Sequence, residues 1–309
     1  MTVTHAISPQ AFPLLNLRRV AGNIGAEIRD IELSANVSDE LFAQIEAALL
    51  KYKVLFFRNQ NHLTDEAHQA FGARFGKIVA HPTVPAPTGT KLFELDASKG
   101  GGRADSWHTD VTFVEAFPKI SILRGVTIPE YGGDTVWANT VLAYERLPEA
   151  LKRFAESLRA VHSNDYDYGA ERIVAEEHRV QHHRQVFVSS VWEAEHPVVH
   201  VHPQTGERAL LLGHFFKHLV GFSSRESARI FELLQNRAIQ LENTVRWQWQ
   251  QGDVVIWDNR STQHYAVNDY GNQPRVVRRV TVEGDPAVAV DGSRSRTVSR
   301  PQPAGQQVA

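Results

Sequence analysis

The chain has no cysteine. That excludes disulfides, thiolate nucleophiles, thiolate-ligated zinc and iron–sulfur clusters, so any metal must be held by nitrogen and oxygen. It also has no run of about 18 apolar residues, so no segment is expected to span a bilayer as a helix. Neither sign of charge dominates: the formal net charge is -2. That gives no electrostatic case for nucleic acid or an anionic membrane as partner. The N-terminal stretch MTVTHAISPQAF has no basic segment leading into an apolar one, so no export signal is read and a cytoplasmic location is expected. No internal repeat interrupts the chain.

What is present is a soluble, enzyme-like composition: 309 residues, 42% hydrophobic and 22% charged. The many short strands described next suit one domain over residues 1–285. After that the sequence turns to DPAVAVDGSRSRTVSRPQPAGQQVA, rich in Ser, Arg, Pro and Gly. Residues 286–309 are therefore expected to be a poorly ordered tail or an arm contacting another subunit. A homo-oligomer, a dimer or tetramer, is the expected assembly.

Helical signals recur at four places. Ser38 can cap a helix with Asp39 and Glu40 in its first turn and Leu41, Ile45 and Leu49 on one face. Thr64 can cap a second, carrying Ala67, Phe71 and Phe75. A third is expected to start near Leu147 and to show Leu151, Phe154 and Leu158. The capping box Ser223-x-x-Glu226 opens a fourth, through Ile230, Leu233 and Leu234. The strand-like runs are VLFF (54–57), KLFEL (91–95), ISIL (120–123), DTVWA (134–138), RALLL (208–212), DVVIW (253–257) and RVVRRVTV (275–282), mostly bounded by Gly or Pro. Many short strands without regular βαβ alternation predict a mainly β fold with flanking helices, an antiparallel sandwich or jelly roll.

The stretch DSWHTDVTF (105–113) puts His108 and Asp110 two apart. In a strand both would point to one face and converge. A hydrogen-bonded surface pair and two thirds of a metal site are both open from this alone. A site for non-haem Fe(II) needs one more His, and His264 in DVVIWDNRSTQHYAVND can supply it from another strand. Beyond it, Arg275 and Arg279 share one face of an alternating strand with Val277 and Thr281, while Val276, Arg278 and Val280 face the other way. Arginines on an apolar face are costly unless each meets an anion. A solvent-facing edge strand is the alternative.

These residues resemble the taurine/chlorophenoxyacetate dioxygenase family. W-H-T-D at 107–110, G-G-D-T at 132–135, W-D-N-R-x-x-x-H at 257–264 and the arginines 11 and 15 positions after that His occur in the family's order and spacing. VLFFRNQ (54–60) and RALLLGHFFKHLVGF (208–222) extend the likeness from about Gly25 to about Gly284. The resemblance implies a double-stranded β-helix (jelly roll) and an Fe(II)- and 2-oxoglutarate-dependent dioxygenase that consumes O2. It implies His108, Asp110 and His264 as metal ligands, and Thr135 and Arg275 as the grip on the distal carboxylate of 2-oxoglutarate. It places His81, Val111 and Arg279 around the primary substrate. Within the family the chain looks most like the alkylsulfatase branch. Taurine-cleaving members carry a Tyr and an Asn where this chain has Val84 and Ala104, so a small anionic organosulfur substrate with an alkyl chain is expected. The implied reaction turns an alkyl sulfate ester into aldehyde and sulfate, with succinate and CO2. Taurine or aryloxyalkanoate oxygenation is the rival enzyme activity, and a cupin-like metal-binding module without catalysis the rival of another class.

Other clusters carry less. His178 and His182, in AEEHRVQHHRQ, have i, i+4 spacing but highly polar neighbours, and a solvated helix or mobile loop is expected. His200 and His202 are bracketed by Pro197 and Pro203, and an ordered loop near the site is expected. Gly100-Gly101-Gly102 lacks the context of a phosphate loop.

Overall fold

In VLFF and DVVIW consecutive residues are apolar, so both faces of these strands must be covered. The computed structural model, which describes residues 12–84, 86–87, 89–97, 104–165 and 191–300, supplies a different cover to each face. Its strands are β1 (Asn16–Arg19), β2 (Ala26–Arg29), β3 (Val54–Phe57), β4 (Ile78–Val79), β5 (Phe93–Asp96), β6 (Ile120–Thr127), β7 (Thr135–Asn139), β8 (Arg159–Ser163), β9 (Glu193–Pro197), β10 (Val199–Val201), β11 (Arg208–Leu210), β12 (Phe216–Leu219), β13 (Thr244–Trp247), β14 (Val254–Asp258), β15 (Thr262–Ala266), β16 (Val276–Val282), β17 (Val288–Ala289) and β18 (Arg296–Ser299). The helices are α1 (Asp39–Tyr52), α2 (Asp65–Ala73), α3 (Thr140–Glu145), α4 (Glu149–Glu156) and α5 (Ser224–Ala238).

The main sheet runs β1-β2-β3-β14-β6-β16-β4, with β5 also on β16. Its pairings are antiparallel except β2 with β3. Three smaller sheets follow the orders β13-β7-β15, β12-β8-β9-β18 and β11-β10-β17. Leu55, Phe57, Ile122, Val254, Ile256, Val280 and Val282 face outward onto Phe42, Ile45 and Leu49 of α1 and Phe71 of α2. Their alternates Val54, Phe56, Leu123, Val255, Trp257 and Val277 face inward onto Trp137, Val245 and Trp247 of the β13-β7-β15 sheet. Each such side chain contributes about 1.5–3 kcal/mol on burial, which sets the register: a slip by one residue would exchange the faces. Two sheets face to face with helices outside make the jelly roll.

The caps fall where the sequence places them. Ser38 accepts from the Leu41 amide, Thr64 from the Ala67 amide, and Ser223 and Glu226 close a full capping box. The third helix, α4, starts at Glu149, close to the expected Leu147, and a separate helix, α3, capped by Asn139, precedes it. Two expectations change. DSWHTDVTF is not a strand: only His108 makes a ladder pair, and the chain turns at Asp110. His200 lies in strand β10 rather than in a loop, because it pairs with Ala209 and Ala289.

Of the segment 286–309, residues 286–300 are described, and they pair within the chain. β17 lies on β10 and β18 on β9. Arg296 donates to Glu195, and the amide and hydroxyl of Thr297 both donate to Glu115. Residues 301–309, His178, His182, His183 and Gly100 to Gly102 lie outside the described residues. No helix among the described residues is long and apolar enough to cross a membrane.

Candidate active site

The inner face of the jelly roll collects the chemistry. His264, on β15, pairs with His108 as an isolated antiparallel bridge, with backbone hydrogen bonds of 3.0 and 2.7 Å. Their rings lie 4.0 Å apart between centroids. Asp110 turns back toward them, with its Oδ1 3.8 Å from His108 Nε2 and 3.7 Å from His264 Nε2. Ligand-capable atoms of all three residues fit within 4.8 Å of one another, and all three residues are buried.

Their protonation suits a cation. His108 Nδ1 donates to the Ser106 carbonyl at 2.8 Å, which leaves the Nε2 lone pair facing the cluster. Burial pushes His108 down to about 3, helped by His264. Burial likewise takes His264 down to about 4, against the opposing pull of Asp110. Burial works to raise Asp110, but Arg279 and the two imidazoles outweigh it and hold the carboxyl well below its ordinary range. Two neutral imidazoles and one carboxylate form an N, N, O donor set of the kind that takes a divalent first-row metal with coordination positions left open. His264 Nδ1 is buried without a hydrogen-bond partner. The residues therefore fit Fe(II).

The arginine strand is arranged as the alternation predicts. Arg275 and Arg279 are buried on the inner side with Val277, while Arg278 turns outward to Glu94 and Asp65. Arg275 is 7% exposed, and its Nε has no hydrogen-bond partner. Burial lowers its pKa, partly offset by Tyr270 and Asp134. Its guanidinium lies 5.8 Å from the Tyr270 ring centre, and its Cδ and Nε pass 3.2 Å from where a Cβ on Gly133 would sit. That approach, with φ at +70°, explains a glycine in G-G-D-T. Two residues on, the buried Thr135 hydroxyl accepts from Trp249 Nε1 at 2.9 Å, leaving its proton to be donated. A buried guanidinium nitrogen without a hydrogen-bond partner fits an anionic carboxylate such as that of 2-oxoglutarate.

Arg279 is not isolated. It pairs with Asp110 through Nη1 and lies 4.7 Å over the Phe93 ring, while its Nε has no partner. Phe93 stacks on the half-buried His81, centroids 4.9 Å apart. His81 Nδ1 accepts from the amides of Thr83 and Val84 at 3.3 and 3.2 Å, so its proton sits on Nε2. Desolvation and then Arg279 push its pKa down. Val111, at φ 56, is a β-branched residue in the left-handed region and packs with Phe113 and Phe215 in an apolar cluster completed by Val114 and Trp192. Phe113 also meets His81 edge-on.

His200 and His202 are not among the three clustered donors. His202 Nε2 contacts Asp258 at 2.9 Å, and His200 meets Phe117 edge-on. Sequence reasoning passed over Ser121, whose hydroxyl donates to Asp110 Oδ2 at 2.7 Å. The available signal was a polar residue in the otherwise apolar run ISIL. It also passed over Phe93, Phe113 and Phe215, which look like ordinary core residues in sequence.

Residues 16–281 match the taurine catabolism dioxygenase TauD, TfdA family. An alkylsulfatase of Acinetobacter baylyi is 59% identical over 92% of this chain and 89% of its own length. An alpha-ketoglutarate-dependent sulfate ester dioxygenase of Pseudomonas putida is 54% identical, over 96% of this chain and 98% of its own. The solved structure of a taurine dioxygenase from Burkholderia xenovorans superposes with a TM-score of 0.77 at 38% identity, covering 92% of this chain and 95% of that one.

Proposed function

We propose, for a chain that belongs to the taurine catabolism dioxygenase TauD, TfdA family and is an Fe(II)- and 2-oxoglutarate-dependent dioxygenase, that its primary substrate is an alkyl sulfate ester. One observation carries the proposal: a cationic, hydrogen-bonding corner made by Arg279 and His81 abuts an apolar wall of Val111, Phe113 and Phe215. A sulfate head needs the first and an alkyl chain the second. The Acinetobacter baylyi and Pseudomonas putida relatives are named as an alkylsulfatase and a sulfate ester dioxygenase, which supports the same substrate class.

His108, Asp110 and His264 would hold the iron. When bound, iron and 2-oxoglutarate supply the oxidising chemistry: O2 is consumed, 2-oxoglutarate leaves as succinate and CO2, and one oxygen atom ends on a substrate carbon. The chain's own residues orient the partners. Arg275 and the Thr135 hydroxyl hold the distal carboxylate, a task for which a planar fork suits better than an ammonium. His81 donates from Nε2 to the sulfate, and Arg279 supplies the countercharge. The wall of Val111, Phe113 and Phe215 takes up methylenes at about 0.8 kcal/mol each and keeps water out.

Once the carbon bearing the ester oxygen carries a hydroxyl, that hydroxyl loses its proton as the carbonyl forms. The C–O bond to sulfate breaks, and its electron pair leaves with sulfate. The products are aldehyde and inorganic sulfate, and no hydrolytic acid–base pair is required. We place this activity in one domain over residues 1–285, onto which β17 and β18 of the following segment pack, acting in the cytoplasm as a homo-oligomer, a dimer or tetramer, which sedimentation would test.

The test of the substrate compares a medium-chain alkyl sulfate with taurine at equal concentration, measuring aldehyde, sulfate or sulfite, and succinate. Faster aldehyde and sulfate release from the alkyl sulfate is expected. Faster sulfite release from taurine overturns the proposal, and indifference to both points to an aryloxyalkanoate.

A further inference from the structure

The W-D-N-R turn contributes more than the spacing to His264. Trp257 Nε1 donates to Asn259 Oδ1 at 2.9 Å. Asn259 Nδ2 donates to Ser121 Oγ at 2.8 Å. Ser121 Oγ in turn donates to Asp110 Oδ2 at 2.7 Å. All four residues are buried, with at most 2% exposed. Trp257 and Ser121 are register partners on β14 and β6, so the chain of bonds crosses the centre of the main sheet and ends at the turn that carries Asp110.

The order of protons along this chain has one solution. An indole N–H can only donate. It therefore holds the Asn259 amide with Oδ1 toward Trp257 and Nδ2 toward Ser121. Ser121 Oγ, receiving that donor, must send its own proton to Asp110. The carboxylate is thus always offered a donor at Oδ2, while Oδ1 is the oxygen that faces His108 and His264 and that also accepts from Arg279 Nη1.

We propose that Trp257, Asn259 and Ser121 form a directional relay that makes Asp110 a one-oxygen ligand. By engaging Oδ2, the relay fixes the rotation of the carboxylate, presents Oδ1 alone to the metal, and leaves open the positions that co-substrate and O2 require. These are positioning residues, acting through Asp110. The inference rests on Asp110 being a metal ligand.

The experiment titrates Co(II) into the metal-free full-length protein and its variants, following affinity by calorimetry and geometry by the visible ligand-field bands. Asn259→Asp replaces the amide by an acceptor that draws the Ser121 proton away from Asp110. Ser121→Ala deletes the last donor. Both are expected to weaken Co(II) binding by about 10- to 100-fold and to alter the ligand-field spectrum. Trp257→Phe keeps a packed ring but frees the amide to flip, and a smaller loss with the same spectral change is expected. It keeps the test decisive where a polar variant fails to fold. Native affinity and an unaltered spectrum in any of these variants, folded by near-UV circular dichroism, overturn the relay. Native Co(II) affinity in Asp110→Ala would instead overturn the metal assignment beneath it.

Discussion

His108 and His264 exchange both of their backbone hydrogen bonds, although they come from opposite halves of the chain. A hydrogen-bonded antiparallel pair holds its Cα atoms about 5.5 Å apart with side chains on one face. The two imidazoles are therefore aligned by the backbone before any ligand arrives. The same pair closes the long stretch of chain between them.

Closing that stretch predicts a metal-dependent stability. Co(II) or Mn(II) added to about a hundred times its dissociation constant should stabilise the folded protein by about 2.7 kcal/mol. Thermal unfolding with and without metal measures this. Asp110→Ala should lose most of the increment, and an equal increment in that variant would place the metal elsewhere.

Gly213 lies against this bridge. At φ +103, a Cβ there would come 2.9 Å from the Trp107 carbonyl and 3.1 Å from His108 Cα. Gly213→Ala should lower the melting temperature and weaken Co(II) binding together. Gly221 also has positive φ, +83, but nothing lies within 4 Å of its Cβ position. Gly221→Ala should cost only about 1 kcal/mol of backbone strain and leave metal affinity unchanged. Equal metal affinities in the two variants would show that the Gly213 contact does not position His108.

Arg275→Lys retains the charge and loses the fork. The half-saturation for 2-oxoglutarate should rise about tenfold or more, corresponding to about 1.4 kcal/mol. Metal affinity in the absence of 2-oxoglutarate should stay as in the parent protein. An unchanged half-saturation would mean that the distal carboxylate is held elsewhere.

Val84 gives its amide to His81, and the Ala104 carbonyl accepts from the amide of Ala266, the last residue of β15. Introducing Val84→Tyr and Ala104→Asn together restores two polar groups of the kind that taurine-cleaving members carry. Ala104 has φ 48, a conformation that Asn tolerates well. Turnover of alkyl sulfate should fall and that of taurine rise, as measured by sulfate and sulfite release. A fall in both alone would show that these positions do not discriminate between the substrates.

Acid should destabilise the protein well before its carboxylates titrate. Burial lowers His68 to about 3, further depressed by Arg124 against Asp65. Burial lowers His196 to about 4, with Arg159 opposing the pull of Glu115 and Glu195. Burial lowers His200 to about 3, with His202 adding to the effect and Asp258 opposing it. Unfolded, each imidazole binds a proton near its ordinary 6.5. Between that pH and about 4 the unfolded chain binds more protons than the native one, so stability rises with pH and is lost as pH falls. Each group contributes roughly 1.4 kcal/mol per pH unit in that window. Urea unfolding of the metal-free protein at about pH 7.5, 6 and 5 checks the slope, which should weaken in His68→Gln. A flat profile would contradict it.

By itself the sequence determined the caps at Ser38, Thr64 and Ser223, the doubly covered strands β3 and β14, and the sorting of Arg275 and Arg279 away from Arg278. Each depends on neighbours a few residues apart, where the 2- and 3.6-residue periods and the capping geometry operate. It also carried the motifs that bring His108, Asp110 and His264 together, although their i, i+2 spacing suggested a strand. The structure has instead one ladder pair at His108, a turn, and a left-handed Val111, with the Asp110 carboxylate tied to Ser121 and Arg279. Only the tertiary structure decided that Ser121, Asn259 and Trp257 meet behind Asp110, that Phe93 contacts both His81 and Arg279, and that β17 and β18 pair with β10 and β9. Those contacts depend on the register between strands far apart in sequence. That register is chosen by burying both faces of the main sheet at once, a condition on the whole chain rather than on any local window.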